Sequence, residues 1–188
     1  GGIFFSGDPN TGNVPTAPVP FGRIVNNTIY GGETPTGIGI HVTQNAGPTL
    51  LNNIVANTNV AISIDSTSSG NTVVEANLFK DNNSDGTRGL YAIPEIPGDD
   101  NFPLFVNPGA RNFYLMDNSP AIDSALHNKN DRDAIKVVKA AIGIPESPII
   151  APERDRFNQV RKDVVGMGPP AGMPGSGTEI FYDRGAVE

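Results

Sequence analysis

Two groups of side chains could do chemistry by their type and spacing. The run Asp81-Asn82-Asn83-Ser84-Asp85-Gly86 places side-chain oxygens at positions 1, 3 and 5 and glycine at position 6. That is the first half of a calcium loop, which makes Asp81, Asn83 and Asp85 the metal candidates and calcium the candidate cofactor. Position 12 is Ala92, so no bidentate carboxylate closes the loop, and Glu95, Asp99 or Asp100 would have to fold back. The same residue types also make an ordinary polar turn. The second group is His41, Asp65 and Glu75. On stacked strands Asp65 would stand one repeat above His41, with Glu75 on the neighbouring strand. Acid–base hydrolysis of a glycoside needs two carboxylates roughly 5–9.5 Å apart. No Lys or Arg lies between Arg23 and Lys80, so an anionic sugar would meet an acidic surface without a cation. No catalytic residue is assigned. No phosphate loop, nucleophile elbow, zinc spacing or dinucleotide fingerprint occurs.

The elements that would position these groups come from an internal repeat. Ile24-Val-Asn-Asn-Thr-Ile-Tyr30, Leu50-Leu-Asn-Asn-Ile-Val-Ala56 and Val74-Glu-Ala-Asn-Leu-Phe-Lys80 align, with Asn27, Asn53 and Asn77 spaced by 26 and 24 residues. A second series, Gly37–Val42 and Ala61–Ser66, is offset by 24. A period near 24 with two short strands per unit predicts a β-solenoid rather than a helical array, whose repeats run roughly 33–47 residues. The apolar residue three before each asparagine and the one two after it have opposite parity. A straight strand would point them to opposite faces, and a corner at the asparagine brings both inside. Asparagine tolerates the left-handed conformation that a corner needs. Asn27, Asn53 and Asn77 would then stack as a hydrogen-bonded ladder at about the 4.8 Å strand spacing. This reading predicts parallel strands at 24–30, 50–56 and 74–80 in one sheet and at 37–42 and 61–66 in another. His41, Ser63 and Asp65 would point outward.

The chain has 188 residues with no cysteine, no tryptophan and two histidines. A disulfide framework, a thiol nucleophile and a His-rich metal centre are thereby excluded. Residues 1–100 carry 3 basic and 9 acidic side chains, net −6, out of −7 for the whole chain. Such a field argues against nucleic-acid partners. No apolar run approaches a membrane span, so no membrane insertion is expected. Gly-Gly-Ile-Phe-Phe at the start reads as a strand in the interior of a longer chain, with upstream coils of the same parent as its partner. Residues 6–21 read as a long Pro/Gly-rich loop.

From Pro103 the pattern changes. Pro-Leu-Phe-Val-Asn-Pro (103–108), Arg-Asn-Phe-Tyr-Leu (111–115), Asn-Ser-Pro-Ala-Ile-Asp-Ser-Ala (118–125) and Asp-Arg-Gly-Ala-Val-Glu (183–188) form an ordered set. The set resembles the end of right-handed parallel β-helix modules of large secreted bacterial surface proteins, of the type PLFVDP…SPAID…DxGAxE. Residues 142–152 and 158–163 resemble the subgroup found in very large exoproteins. The resemblance implies an all-β, right-handed, pectate-lyase-like parallel β-helix and a secreted or cell-surface location. The division is 1–102 for the coils and 103–188 for the last coil and C-terminal cap. One short helix is expected, capped by Asn130 or Asp131, with Ile135, Val138 and Ile142 on core and a stop at Gly143 and Pro145. Phe113, Leu115, Ile122 and Val187 should be buried. Residues 166–178 read as a loop leading to a final strand at 179–182. The functional expectation is a non-enzymatic structural or adhesive module, whose ligand would be a polysaccharide or another cell-surface group. The alternative is a fragment of a polysaccharide-binding or polysaccharide-degrading β-helix enzyme.

Overall fold

A single residue in the left-handed conformation at each corner breaks the asparagine repeats into three-residue strands. The computed structural model describes residues 2–9, 21–94, 104–161 and 183–187. They are mostly β, with one short helix. Ten strands come first: β1 Ile3–Ser6, β2 Arg23–Val25, β3 Thr28–Tyr30, β4 Ile38–Thr43, β5 Thr49–Leu51, β6 Ile54–Ala56, β7 Val60–Ile64, β8 Val73–Glu75, β9 Leu78–Lys80 and β10 Ser84–Gly86. They form three parallel sheets, β1-β4-β7-β10, β2-β5-β8 and β3-β6-β9. The chain visits these sheets in the same cyclic order on every pass.

Each expected long strand is thus two strands in two sheets, and there are three stacked sheets where two were expected. The corner falls between β2 and β3, β5 and β6, and β8 and β9. Its left-handed residue is not the aligned asparagine but the one before it: Asn26, Asn52 and Ala76, with φ of 53°, 56° and 50°. Register puts Ile24 beside Leu50 and Leu50 beside Val74, and likewise Ile29, Val55 and Phe79. These six pack with Ile3, Ile40, Val42 and Ile62 in one core cluster.

In the first sheet the register differs from the expected 24-residue offset. Ile40 pairs with Ile62 and Val42 with Ile64. The β3–β4 connection is seven residues long and the β6–β7 connection three, which turns the 26-residue offset between β3 and β6 into 22, two short of the expected 24. A two-residue shift keeps every side chain on its face, so the same apolar residues enter the core, but the cross-strand neighbours change.

The C-terminal half comprises β11 Phe105–Asn107, a 3-10 turn Pro108–Ala110, β12 Asn112–Leu115, β13 Asn128–Lys129, α1 Asp133–Ala141 and β14 Ile149–Ile150. β11 pairs antiparallel with β12, and β13 with β14. These elements lie along the outer flanks of two sheets rather than only across the end of the core. Ile54, Ala56 and Leu78 pack against Leu104, Phe105 and Ala121. Leu51 and Ala76 pack against Leu126 and Ile149. β5 and β6 are therefore buried on both faces. Val187 is buried, while Phe113, Leu115 and Ile122 are only half-buried.

Helix α1 departs from expectation. Its N-cap is Arg132, without a side-chain cap bond, and Val138 and Ile142 are exposed. A charge pair orients it instead. Lys139 Nζ donates to Asp131 Oδ2 at 2.6 Å and to Ser147 Oγ at 2.7 Å. Asp131 is buried beneath the helix and so is not free to cap it. The expected loop at 166–178 and strand at 179–182 lie outside the described residues.

Candidate functional site

The asparagine row is built from the inner side of the corner. Asn27 Nδ2 donates to Asn53 Oδ1 at 3.1 Å, and Asn53 Nδ2 donates to Asn77 Oδ1 at 2.9 Å. Each Oδ1 also accepts a backbone N–H from the repeat before it, Asn27 N at 3.0 Å and Asn53 N at 2.9 Å. The row thereby satisfies corner groups that cannot reach a strand partner. Two further side-chain ties hold the structure together. At the next corner Asn82 Oδ1 accepts from Thr58 N at 3.0 Å and Thr58 Oγ1 at 2.7 Å. On the outer side Asn52 grips the cover, with Oδ1 accepting from Leu126 N at 2.8 Å and Nδ2 donating to Leu126 O at 2.9 Å.

The His41, Asp65 and Glu75 group does not assemble. His41 stands opposite Ser63, and its ring meets Phe4 edge-on at 5.4 Å. Asp65 closes a turn, accepting from Gln44 N, Thr67 Oγ1 and Ser68 N, each at 2.8 Å. Burial raises its pKa, but the hydrogen bonds from Gln44, Ser68 and Thr67 outweigh that and hold it at about 2. Glu75 Oε1 is 2.7 Å from Lys129 Nζ.

The Asp81–Gly86 run is not an isolated loop. Asp81 is a left-handed corner residue with φ 53°, and residues 84–86 are strand β10. Asp81 Oδ1 lies 3.4 Å from Lys80 Nζ. Asn83 Nδ2 donates to Asn59 Oδ1 at 3.0 Å, and Asp85 Oδ2 accepts from Arg88 Nε at 2.9 Å. Arg88 thus occupies one of the two Asp85 oxygens. No group of three or more His, Cys, Asp or Glu suited to a metal occurs among the described residues. Glu95, Asp99 and Asp100 lie outside them.

Buried charges mark the junction between cover and stack. Arg184 is fully buried; its Nε donates to Ser124 O at 2.9 Å, Nη1 to Asn77 O at 3.0 Å and Nη2 to Tyr91 O at 3.3 Å. Burial pulls its pKa down to about 9, still protonated at neutral pH. Arg161 donates to Asp183 O at 2.9 Å and Gly185 O at 2.7 Å. Asp131 sits 3.1 Å from Arg23 and 2.6 Å from Lys139. The Lys139 hydrogen bond, then the Ser147 N–H, hold its pKa below the usual carboxylate range against burial, with help from the Lys139 and Arg23 charges. Sequence spacing could not pair Asp131 with Arg23, 108 residues away.

One surface cleft of about 340 Å³ borders Ile64, Val74 and Leu90 at the last repeat. Another, of about 300 Å³, opens where the turn after β3 meets the 3-10 turn, between Tyr30, Glu33, Pro108, Gly109, Arg111 and Phe113. The Tyr30 and Phe113 rings lie 5.4 Å apart at 58°. Asn57 Nδ2 fixes this edge, donating to Tyr30 Oη at 3.1 Å and to Gly32 O at 2.5 Å. Across the cleft Asn107 Oδ1 accepts from Ala110 N at 3.0 Å, which sets the turn that presents Arg111.

Fold and site together define a mostly β chain of stacked parallel sheets whose corners are tied by asparagines and whose flanks are covered by its own C-terminal half. No family model, no curated protein and no solved structure matches the chain.

Proposed function

We propose that this chain is the end of a right-handed parallel β-helix and serves as a non-enzymatic structural or adhesive module of a large secreted or cell-surface bacterial protein. The observation that carries the reading is the cyclic strand order, in which three parallel sheets are visited in turn. The stacked asparagines and the apolar cluster shared by the three sheets support it. So does the fate of the polar groups: Asp65, Glu75 and Asp131 are each engaged in internal bonds. The location follows from the resemblance to bacterial surface modules. Among the described residues β1, β2 and β3 pair along one edge only, and the reading assigns their other edge to a further coil of the same parent.

The purified chain should be retained on insoluble polysaccharides or on cell surfaces without altering them. Co-sedimentation combined with assays for reducing ends and unsaturated sugars tests this. Time-dependent release of either product would overturn the reading in favour of a polysaccharide-degrading enzyme.

A further inference from the structure

The Tyr30–Phe113 cleft combines three features. Its volume of about 300 Å³ has room for one small ring. Tyr30, Phe113 and Phe105 form an aromatic group, with Phe105 edge-on to Phe113 at 5.4 Å and 88°. One carboxylate and one guanidinium, Glu33 and Arg111, border the same space, and both residues are exposed. Neither side chain has a hydrogen bond or ion pair with a described residue. Most other charged side chains near the cover are tied up, as Asp131, Glu75 and Arg184 are. Glu33 and Arg111 keep their full hydrogen-bonding capacity.

We propose that this cleft is a sugar subsite that takes one neutral hexose unit of a glycan. The inference rests on the adhesive reading above and names its ligand. A hexose offers apolar C–H faces to aromatic rings and hydroxyls that both donate and accept. The Glu33 carboxylate accepts from hydroxyls, and the Arg111 guanidinium donates to them. Charge-assisted bonds of this kind are the strong ones. The cleft itself is balanced in charge, so it offers no net attraction to an ionic sugar. Residues 1–100, which supply Tyr30 and Glu33, are net −6 and disfavour an anionic one.

The test uses the intact 188-residue chain and calorimetric titration with short cello- and manno-oligosaccharides, with oligogalacturonate as the anionic control. Glu33→Gln keeps the shape of the side chain. Arg111→Asn removes the guanidinium at a position with φ 61° that asparagine tolerates. The expected result is binding of at least one neutral oligosaccharide, weakened about tenfold or more by each substitution, as loss of a charged hydrogen bond implies. Unchanged melting temperatures would show that both variants fold. No binding of any neutral oligosaccharide would overturn the subsite. Binding that survives both substitutions would also overturn it, and would leave the adhesive reading standing on another surface. Tighter binding of oligogalacturonate would overturn the neutral specificity.

Discussion

Asn53 uses its whole side-chain amide inside the fold. Its Oδ1 accepts from Asn27 N and Nδ2, and its Nδ2 donates to Ile24 O and Asn77 Oδ1, all within 3.1 Å and with no solvent exposure. Asn53→Ala strands several of these groups at once, each costing about 1–3 kcal/mol. A loss of about 3–5 kcal/mol is expected by urea unfolding, with a smaller loss for Asn27→Ala at the edge of the row. Equal losses would contradict the stacking account. Asp65 makes a pH prediction. Its folded pKa, near 2, lies below the unfolded value of about 3.9. The unfolded chain therefore takes up the proton first as pH falls. The stability from Asp65 is present above about pH 4 and lost on the way down to about pH 2. Asp65→Asn should lower the melting temperature at pH 7 and show a shrinking deficit between pH 4 and 2. A deficit independent of pH would mean that its charge does not matter.

At the scale of elements, the segment Asp183–Val187 acts as a strap across successive repeats. Arg184 reaches Asn77 O, Gly185 N donates to Asn52 O at 3.0 Å, and Ala186 N donates to Thr28 Oγ1 at 2.9 Å. Gly185 has φ 89°, and a Cβ there would lie 2.6 Å from Thr28 Oγ1 and 2.7 Å from Ile54 Cδ1. Gly185→Ala is therefore expected to cost about 2–4 kcal/mol from backbone strain and overpacking. Thermal unfolding decides this, and an unchanged midpoint would remove the strap from the list of stabilising elements. The importance of the Asp-Arg-Gly-Ala run was visible as a motif. Its job was not, because its partners among the described residues lie 22 to 158 residues away. Helix α1 shows the opposite error. Its apolar spacing was legible, but the buried Asp131 beneath Lys139 decided which side faces the body.

For the whole molecule, the cover is part of the core rather than a lid on it. Leu51, Ile54, Ala56 and Leu78 point away from the inner cluster and are buried by Leu104, Phe105, Leu126 and Ile149. A chain cut after residue 94 exposes this apolar row on two flanks and should aggregate. Size-exclusion chromatography of residues 1–94 checks it. A stable monomer would mean that the stack stands without its cover.

The repeat, the parallel stacking it implies and the identity of the inner residues were legible in the sequence. They depend on side-chain parity, and parity survives a two-residue error in register. Leu50, Val55 and Phe79 were correctly placed inside for that reason. The consecutive apolar pairs at Leu50-Leu51 and Ile54-Val55 also carried a signal for burial on both faces. Parity about the corner asparagine accounts for only one of those faces. Register itself, and with it the separation of His41 from Asp65, was fixed by unequal connection lengths that the motif alignment did not weigh. The third sheet came from a left-handed residue one position before each ladder asparagine. The pairing of Asp131 with Arg23, the burial of Arg184 and the meeting of Glu33 with Arg111 across one cleft join residues far apart in the chain. No local pattern encodes such meetings; packing of the C-terminal half against the flanks of the stack decides them.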